Sequence, residues 1–455
     1  MILEAINPAT GEIIKTYKPD SPEAVSEKIQ QSHTAFASWR STPFAQRAEW
    51  MEKVATILEA NARPFALLMA EEMGKVVREG MAEIKKCAWV CRYYATEAEA
   101  FLKAQPTATD AKYSFVSFLP LGPVLAVMPW NFPFWQVFRF AAPNLMAGNT
   151  GLLKHASNVP GCALAIEAIF REAGFPDGVF QTLLVGSKAV DTVIENPLVK
   201  AVTLTGSTPA GRAVARKAGE CLKKTVLELG GSDPYIILED ADLDHAVPLC
   251  VTSRMLNAGQ SCIAAKRFII HQAVYAEFET RMVDQMRQIQ IGDPTLDETP
   301  LGPMARADLR KELHTQVLDS IEQGAQLLLG GVIPDRPGAY YPPTVLSQVR
   351  PGMTAFEEEL FGPVAALIQT QDEAEAIALA NQSTFGLGAA VFTRDRARGE
   401  RIAETELEAG CCFVNDFVRS DPRLPFGGIK ASGYGRELAA FGIHEFVNIK
   451  TVYIQ

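Results

Sequence analysis

Several short segments of this chain carry residue types that can do chemistry. In Gly259-Gln260-Ser261-Cys262 a thiol follows a glycine and two polar residues. Glycine lets the backbone bend and approach a neighbour closely, and the polar pair suits a loop better than a core. Any of the eight cysteines (87, 91, 162, 221, 250, 262, 411 and 412) can be buried filler, but only Cys262 has such surroundings. A thiolate is a strong nucleophile, whereas a free thiol with a pKa of about 8.5 must first be activated. Glu228-Leu229-Gly230-Gly231 sets a carboxylate beside a tight backbone passage. A carboxylate whose pKa is raised by partial burial can take a proton from water; an isolated Glu at a strand end is otherwise a surface residue. Asn131, within Pro129-Trp130-Asn131-Phe132-Pro133, reads equally as an Asx turn or as an amide donor to an oxyanion. Thr205-Gly206-Ser207-Thr208-Pro209-Ala210-Gly211 precedes a helical stretch that Ser207 or Thr208 can cap, and such a helix start attracts a pyrophosphate. Its G-x-x-x-x-G spacing is neither the G-x-G-x-x-G fingerprint nor a Walker A motif.

These residues need elements to hold them. Ser21-Pro22-Glu23 reads as a helix start, followed by Val25, Ile29, His33 and Phe36 at helical spacing. Helix continues from Phe44 to Phe101, with breaks predicted near Arg63-Pro64 and at Gly74. Lys112–Leu119 alternates as a strand does. From Val124 onward short apolar runs (Val124–Met128, Thr150–Lys154, Gln181–Val185, Ala201–Leu204, Tyr235–Leu238) alternate with helical stretches such as Pro160–Ala173 and Thr208–Cys221. That β-α-β texture predicts a parallel sheet with ligands at the C-terminal ends of its strands. A second α/β region runs from about Glu228 to Pro425, with strands at Arg267–His271, Val364–Gln369 and Ala389–Phe392. Phe446–Ile454 alternates again, and such a strand must pair, in its own chain or with another subunit.

With 455 residues, two or three domains are expected. A 48% apolar, 21% charged composition excludes fibrous and disordered classes. The net charge of −10 disfavours nucleic acid, since no excess of Lys and Arg is present to displace counterions. No apolar run reaches the roughly 18 residues of a membrane span, and the start lacks a secretory pattern, so the expected location is the cytoplasm. Cys87 and Cys91, four apart on one helix face, read as core; no metal site is expected.

Taken in order with Glu359-Leu360-Phe361-Gly362-Pro363-Val364, and from Asn7-Pro8-Ala9-Thr10-Gly11 to Pro425-Phe426-Gly427-Gly428, these segments resemble the aldehyde dehydrogenase superfamily over essentially the whole chain. The resemblance implies an α/β fold with two parallel-sheet domains and a small oligomerisation element. The cofactor-binding domain would comprise 1–111 and 121–228, the catalytic domain 229–430, and the bridging strands 112–120 and 440–455. It implies that Cys262 attacks an aldehyde to give a thiohemiacetal, which expels hydride to a nicotinamide and leaves a thioester. Glu228 would then be the general base for hydrolysis, and Asn131 with the Cys262 N–H the oxyanion donors. Trp130, Gly206, Ser207, Gly211, Leu229 and Gly230 would belong to the cofactor site, with Glu359 on the nicotinamide ribose and Phe361 against the ring. A homodimer or homotetramer is implied.

Lys154-His155-Ala156-Ser157 matches the family segment at the adenosine ribose, where NAD-specific members tend to carry Glu at the position of Ser157. Two like charges about 4 Å apart cost roughly 4 kcal/mol at an effective dielectric of 20. Ser157 removes that repulsion from a 2′-phosphate and Lys154 can bond it, so NADP is expected over NAD. Arg139, eight residues after Asn131, matches a tunnel position and suits a substrate with a distal carboxylate, held bidentately. Ser420 matches the carboxylate-binding Ser of the succinate semialdehyde dehydrogenase branch, and Arg419 beside it is a second candidate anchor. That branch often has another Arg six residues before the nucleophile, where this chain has Leu256, and sometimes a Cys two after it, where this chain has Ala264. Glutarate semialdehyde or another short ω-carboxy aldehyde is the alternative substrate. Cofactor-free cysteine hydrolysis would need a His beside Cys262, and none of the six histidines lies in such a motif. A non-catalytic structural protein would be expected to have lost the nucleophile.

Overall fold

Residues 3–455 are described by the structure, a computed structural model. The chain opens with an antiparallel hairpin, β1 (Leu3–Ile6) and β2 (Ile13–Tyr17), turned at the Asn7–Gly11 motif. The Ser21 hydroxyl then accepts the Ala24 N–H and starts α1 (Pro22–Trp39). Three helices follow: α2 (Phe44–Ala60), α3 (Ala62–Met73) and α4 (Val77–Phe101). The first break falls at Asn61, not at Arg63-Pro64. Asn61 turns its side-chain N–H onto the Ile57 carbonyl, and Pro64 sits in the first turn of α3, where no N–H is needed. Cys87 and Cys91 are fully buried between the helices.

β3 (Gln105–Pro106) and β4 (Tyr113–Pro120) lead into β5 (Pro123–Met128), α5 (Trp135–Met146), β6 (Thr150–His155), α6 (Pro160–Glu172), β7 (Phe180–Thr182), α7 (Val190–Glu195), β8 (Ala201–Thr205), α8 (Thr208–Glu220) and β9 (Lys224–Glu228). Strands β9-β8-β5-β6-β7 form a parallel sheet in that order. The order reverses between β5 and β8, which makes their C-terminal ends the switch point where such sheets take ligands. β7 stops at Thr182, short of the predicted Val185, because the Leu184 N–H donates to the Asp20 carboxylate at 2.9 Å.

The second sheet draws on β10 (Asp233–Ile237), β11 (Ala265–His271), β12 (Gln326–Leu329), β13 (Thr344–Ser347), β14 (Val364–Thr370), β16 (Gly388–Phe392) and β17 (Cys411–Val414). Their order is β12-β13-β14-β11-β10-β16-β17, parallel except at β12. The short strands β15 (Phe385–Gly386) and β18 (Ile429–Lys430) pair beside it. β19 (Gly433–Tyr434) returns to the first sheet and lies antiparallel to β9, with Gly433 opposite Glu228. The last strand, β20 (Val447–Ile454), pairs antiparallel with β4 of its own chain over its full length, so the two segments grouped as bridging strands form one ribbon. Its outer edge stays unpaired, with Ile449, Tyr453 and Ile454 exposed.

Candidate active site

Cys262 sits in the loop between the helix Leu243–Met255 and β11. That loop is built at a cost. Asn257, Ala258 and Gly259 are all left-handed, with φ of 55°, 53° and 72°. For each of the two non-glycine residues the strain is about 1–3 kcal/mol. At Gly259 a Cβ would overlap the Gly362 backbone, so only glycine fits. The strain is held by bonds that also reach the Asn131 loop. Asn257 Nδ2 donates to the Asn131 carbonyl at 2.7 Å and to the Gln260 carbonyl at 3.1 Å, and the Asn257 N–H donates to Glu79. From below, Lys266 Nζ donates to the carbonyls of Ser261 and Cys262 at 3.0 and 2.8 Å.

Asn131 and the Cys262 N–H, the two groups expected to hold an oxyanion, lie on this loop and the one tied to it. Asn131 Nδ2 donates to the Gln260 carbonyl at 3.1 Å, which leaves its second N–H free. Among the described residues the Cys262 N–H has no protein acceptor. The thiol is not activated by its surroundings. Burial pushes it up to about 12, and the cations of Arg139 and Lys266 pull back only part of that. No histidine hydrogen-bonds it among the described residues; His155, for example, bonds the Pro133 carbonyl.

Glu228 closes β9 and is buried, with both carboxylate oxygens unpartnered among the described residues. Burial holds its carboxyl well above the usual range, the nearby Glu437 carboxylate adds to this, and Arg139 and Arg436 offset only part. It is not one of the residues lining the cavity onto which Cys262 and Asn131 face, although its chain neighbour Leu229 is.

That cavity, about 570 Å³, runs from Cys262 and Asn131 past Trp130 to the first residues of α8. Ser207 is the N-cap of α8, but its side chain makes no cap bond, and the Thr208 hydroxyl turns to the Ala431 carbonyl. The orphan N–H groups of the first turn are therefore left for an anion. At Gly206 a Cβ would meet nothing closer than Leu204 at 3.7 Å, so the wall is open there. Gly211 acts differently from expectation: it is buried, and a Cβ there would strike the Leu229 side chain, so its lack of one lets α8 sit on the loop after β9. Leu229 and Gly230 line the cavity, and the Gly230 carbonyl accepts the Ser432 hydroxyl. The Glu359 carboxylate accepts the Gly231 N–H at 3.1 Å and lies 3.5 Å from Lys266 Nζ, and Phe361 meets Trp130 edge-on at 5.8 Å. Lys154 and Ser157 stand at the C-terminal end of β6, beyond that wall. Lys154 is buried with no carboxylate partner among the described residues, and Ser157 is exposed. A phosphorylated dinucleotide fits this donor set: an uncapped helix start, an open glycine and an uncompensated lysine along one sheet edge.

The substrate side corrects two expectations. Arg139 is no free bidentate anchor. Its guanidinium is buried, ion-paired with Glu437, and stacked on Phe426 at 4.6 Å. Arg419 is exposed and tied by both terminal nitrogens to Asp416, at 2.8 and 2.7 Å, so it too is spent. Ser420 is buried and accepts from Lys86 Nζ at 2.7 Å.

Sequence reasoning passed over Asn257, Lys266 and Glu437. The first two lie within five residues of Cys262 and could have been found as polar residues flanking a suspected nucleophile. Glu437 carried no local signal; only the fold brings it to Arg139 and Glu228.

The aldehyde dehydrogenase family model matches residues 1–452. A probable succinate-semialdehyde dehydrogenase [NADP(+)] of Synechocystis sp. is 52% identical over the full length of both chains. Succinate-semialdehyde dehydrogenase [NADP(+)] 1 of Mycobacterium bovis is 50% identical, again over both full lengths. The crystal structure of succinic semialdehyde dehydrogenase from Streptococcus pyogenes in complex with NADP+ superposes with a TM-score of 0.97 at 36% identity, covering 99% of each chain.

Proposed function

Since the chain belongs to the aldehyde dehydrogenase family, we propose that it oxidises succinate semialdehyde to succinate with NADP+. The observation that carries this is the single cavity that has Cys262 and Asn131 on its wall together with Gly206, Ser207 and Thr208 at the start of α8. A nucleophile with its oxyanion donors and a dinucleotide cradle thereby share one space.

NADP+, when bound, supplies the hydride acceptor. Ser207 and the first N–H groups of α8 would hold its pyrophosphate, Lys154 and Ser157 its 2′-phosphate, Glu359 a ribose, and Trp130, Leu229, Gly230 and Phe361 its apolar faces. The Cys262 thiol adds across the aldehyde C=O, its S–H proton passing to the carbonyl oxygen, and the second Asn131 N–H and the Cys262 N–H hold that oxygen in the thiohemiacetal. After oxidation the acyl group remains on Cys262 as a thioester. Glu228 takes a proton from the attacking water.

We assign residues 1–111 and 121–228 to cofactor binding, 229–430 to the catalytic unit, and 112–120 with 440–455 to assembly. The unpaired edge of β20, with its exposed apolar residues, supports a homodimer or homotetramer. Among the described residues no helix is long and apolar enough to cross a membrane, and eight unpaired cysteines suit the reducing cytoplasm.

Initial rates with succinate semialdehyde or butanal, each with NADP+ or NAD+, test the reading. The charged aldehyde with NADP+ should lead in kcat/KM by about tenfold or more, the worth of one charge-assisted bond. Equal rates with butanal would sink the substrate, and a lead for NAD+ would sink the cofactor preference.

A further inference from the structure

With Arg139 committed to Glu437 and Arg419 to Asp416, the anchor for a distal carboxylate has to come from elsewhere. Lys86 lies on α4, one turn after Glu83. Its Nζ donates to Ser420 Oγ at 2.7 Å and stands 4.4 Å from the centre of the Trp135 ring. The acids around it are already spent. Glu83 accepts the N–H groups of Phe134 and Trp135, each at 2.9 Å, and pairs with Lys75. Asp421 takes a two-point bond from Arg423 at 2.9 and 2.7 Å. Among the described residues no carboxylate lies within ion-pair distance of Lys86. A desolvated ammonium without a counter-ion is costly, and here it is costly enough that burial, with the Arg139 cation, brings Lys86 down to about 8, although Cys87, Asp421 and Glu83 push the other way.

Ser420 completes the pair. Its oxygen accepts from Lys86, which leaves its O–H to donate to something else. Trp135 supplies an apolar, electron-rich floor and ties the pair to the chain segment that begins at Asn131, four residues before it. We propose that Lys86 and Ser420, over Trp135, bind the distal carboxylate of the aldehyde and set the preference for an ω-carboxy substrate. The ammonium then gains the counter-ion that the fold denies it, and the substrate's carboxylate gains two donors. This rests on the substrate reading above.

The test is the ratio of kcat/KM for succinate semialdehyde to that for butanal, with NADP+, in the wild type, Lys86→Met and Lys86→Arg. The ratio cancels effects on the shared chemistry. It should fall by about tenfold or more in Lys86→Met and recover to within about threefold in Lys86→Arg. In the wild type it should also decline as pH rises past about 8, where Lys86 loses its proton, and this arm stands if Lys86→Met does not fold. A wild-type ratio above about ten that survives in folded Lys86→Met, or that stays flat to high pH, overturns the role of Lys86 alone. A wild-type ratio near one overturns the substrate reading, and this proposal with it.

Discussion

On the α8 side of Cys262 the site is made of backbone donors left unsatisfied; on the side of Glu228 it is made of buried acids and arginines that offset one another only in part. The first region has an uncapped helix start, an open Gly206 and an uncompensated Lys154. The second packs Glu228, Glu437 and Arg139 together with almost no exposure. The difference teaches what each region is for. Unspent donors wait for an anion from outside, whereas partly offset charges tune each other's protonation and tolerate little change. Lys86 lies next to the second region but behaves like the first.

The largest expected effect breaks the comparison at Glu228. Glu228→Gln should lower kcat by about 10²–10⁴-fold, the usual worth of a general base, and quenched-flow samples should show acyl-enzyme accumulating. The wild-type rate should rise with pH along a limb set above the ordinary carboxylate range, because burial and Glu437 raise the Glu228 carboxyl. The sign for stability is the reverse of the sign for rate. The folded protein holds this proton more tightly than the unfolded chain does. Stability is therefore lost as pH climbs from about 4.5 through the folded value. Glu228→Gln removes that penalty, so its thermal midpoint should gain on the wild type at alkaline pH.

Next comes Arg139→Leu, which separates a structural cation from a substrate anchor. Stripping one partner from a buried pair costs about 3–5 kcal/mol, and calorimetry or denaturant titration should show a loss of that order. A variant as stable as the wild type with only KM raised would return Arg139 to the substrate.

The smallest effect sharpens the other region. Ser157→Glu should shift the NADP/NAD ratio toward NAD by about tenfold. Ser157 is exposed, so solvent screening leaves only a fraction of the roughly 4 kcal/mol between two bare charges. An unchanged ratio would show that Ser157 does not read the 2′-phosphate.

Much of this was legible in the residues because it is local. Ser21 caps α1 and Gly74 ends α3 through bonds spanning a few residues. The alternation of apolar runs with helical stretches marks strands β5, β6 and β8 because a buried parallel strand must be apolar on both faces. The Gly259–Cys262 segment announces its loop because a glycine followed by two polar residues suits a bend better than a core. What remained hidden is long-range. Nothing near Arg139 in the chain names Glu437 as its partner, and nothing near Lys86 names Ser420. The residue types and their order determined which groups can react and on which kind of element they sit, since those follow from side-chain chemistry and short-range backbone bonding. Only the tertiary structure decided which charges are spent and which are free, because neutralisation and desolvation depend on distances that the fold alone sets.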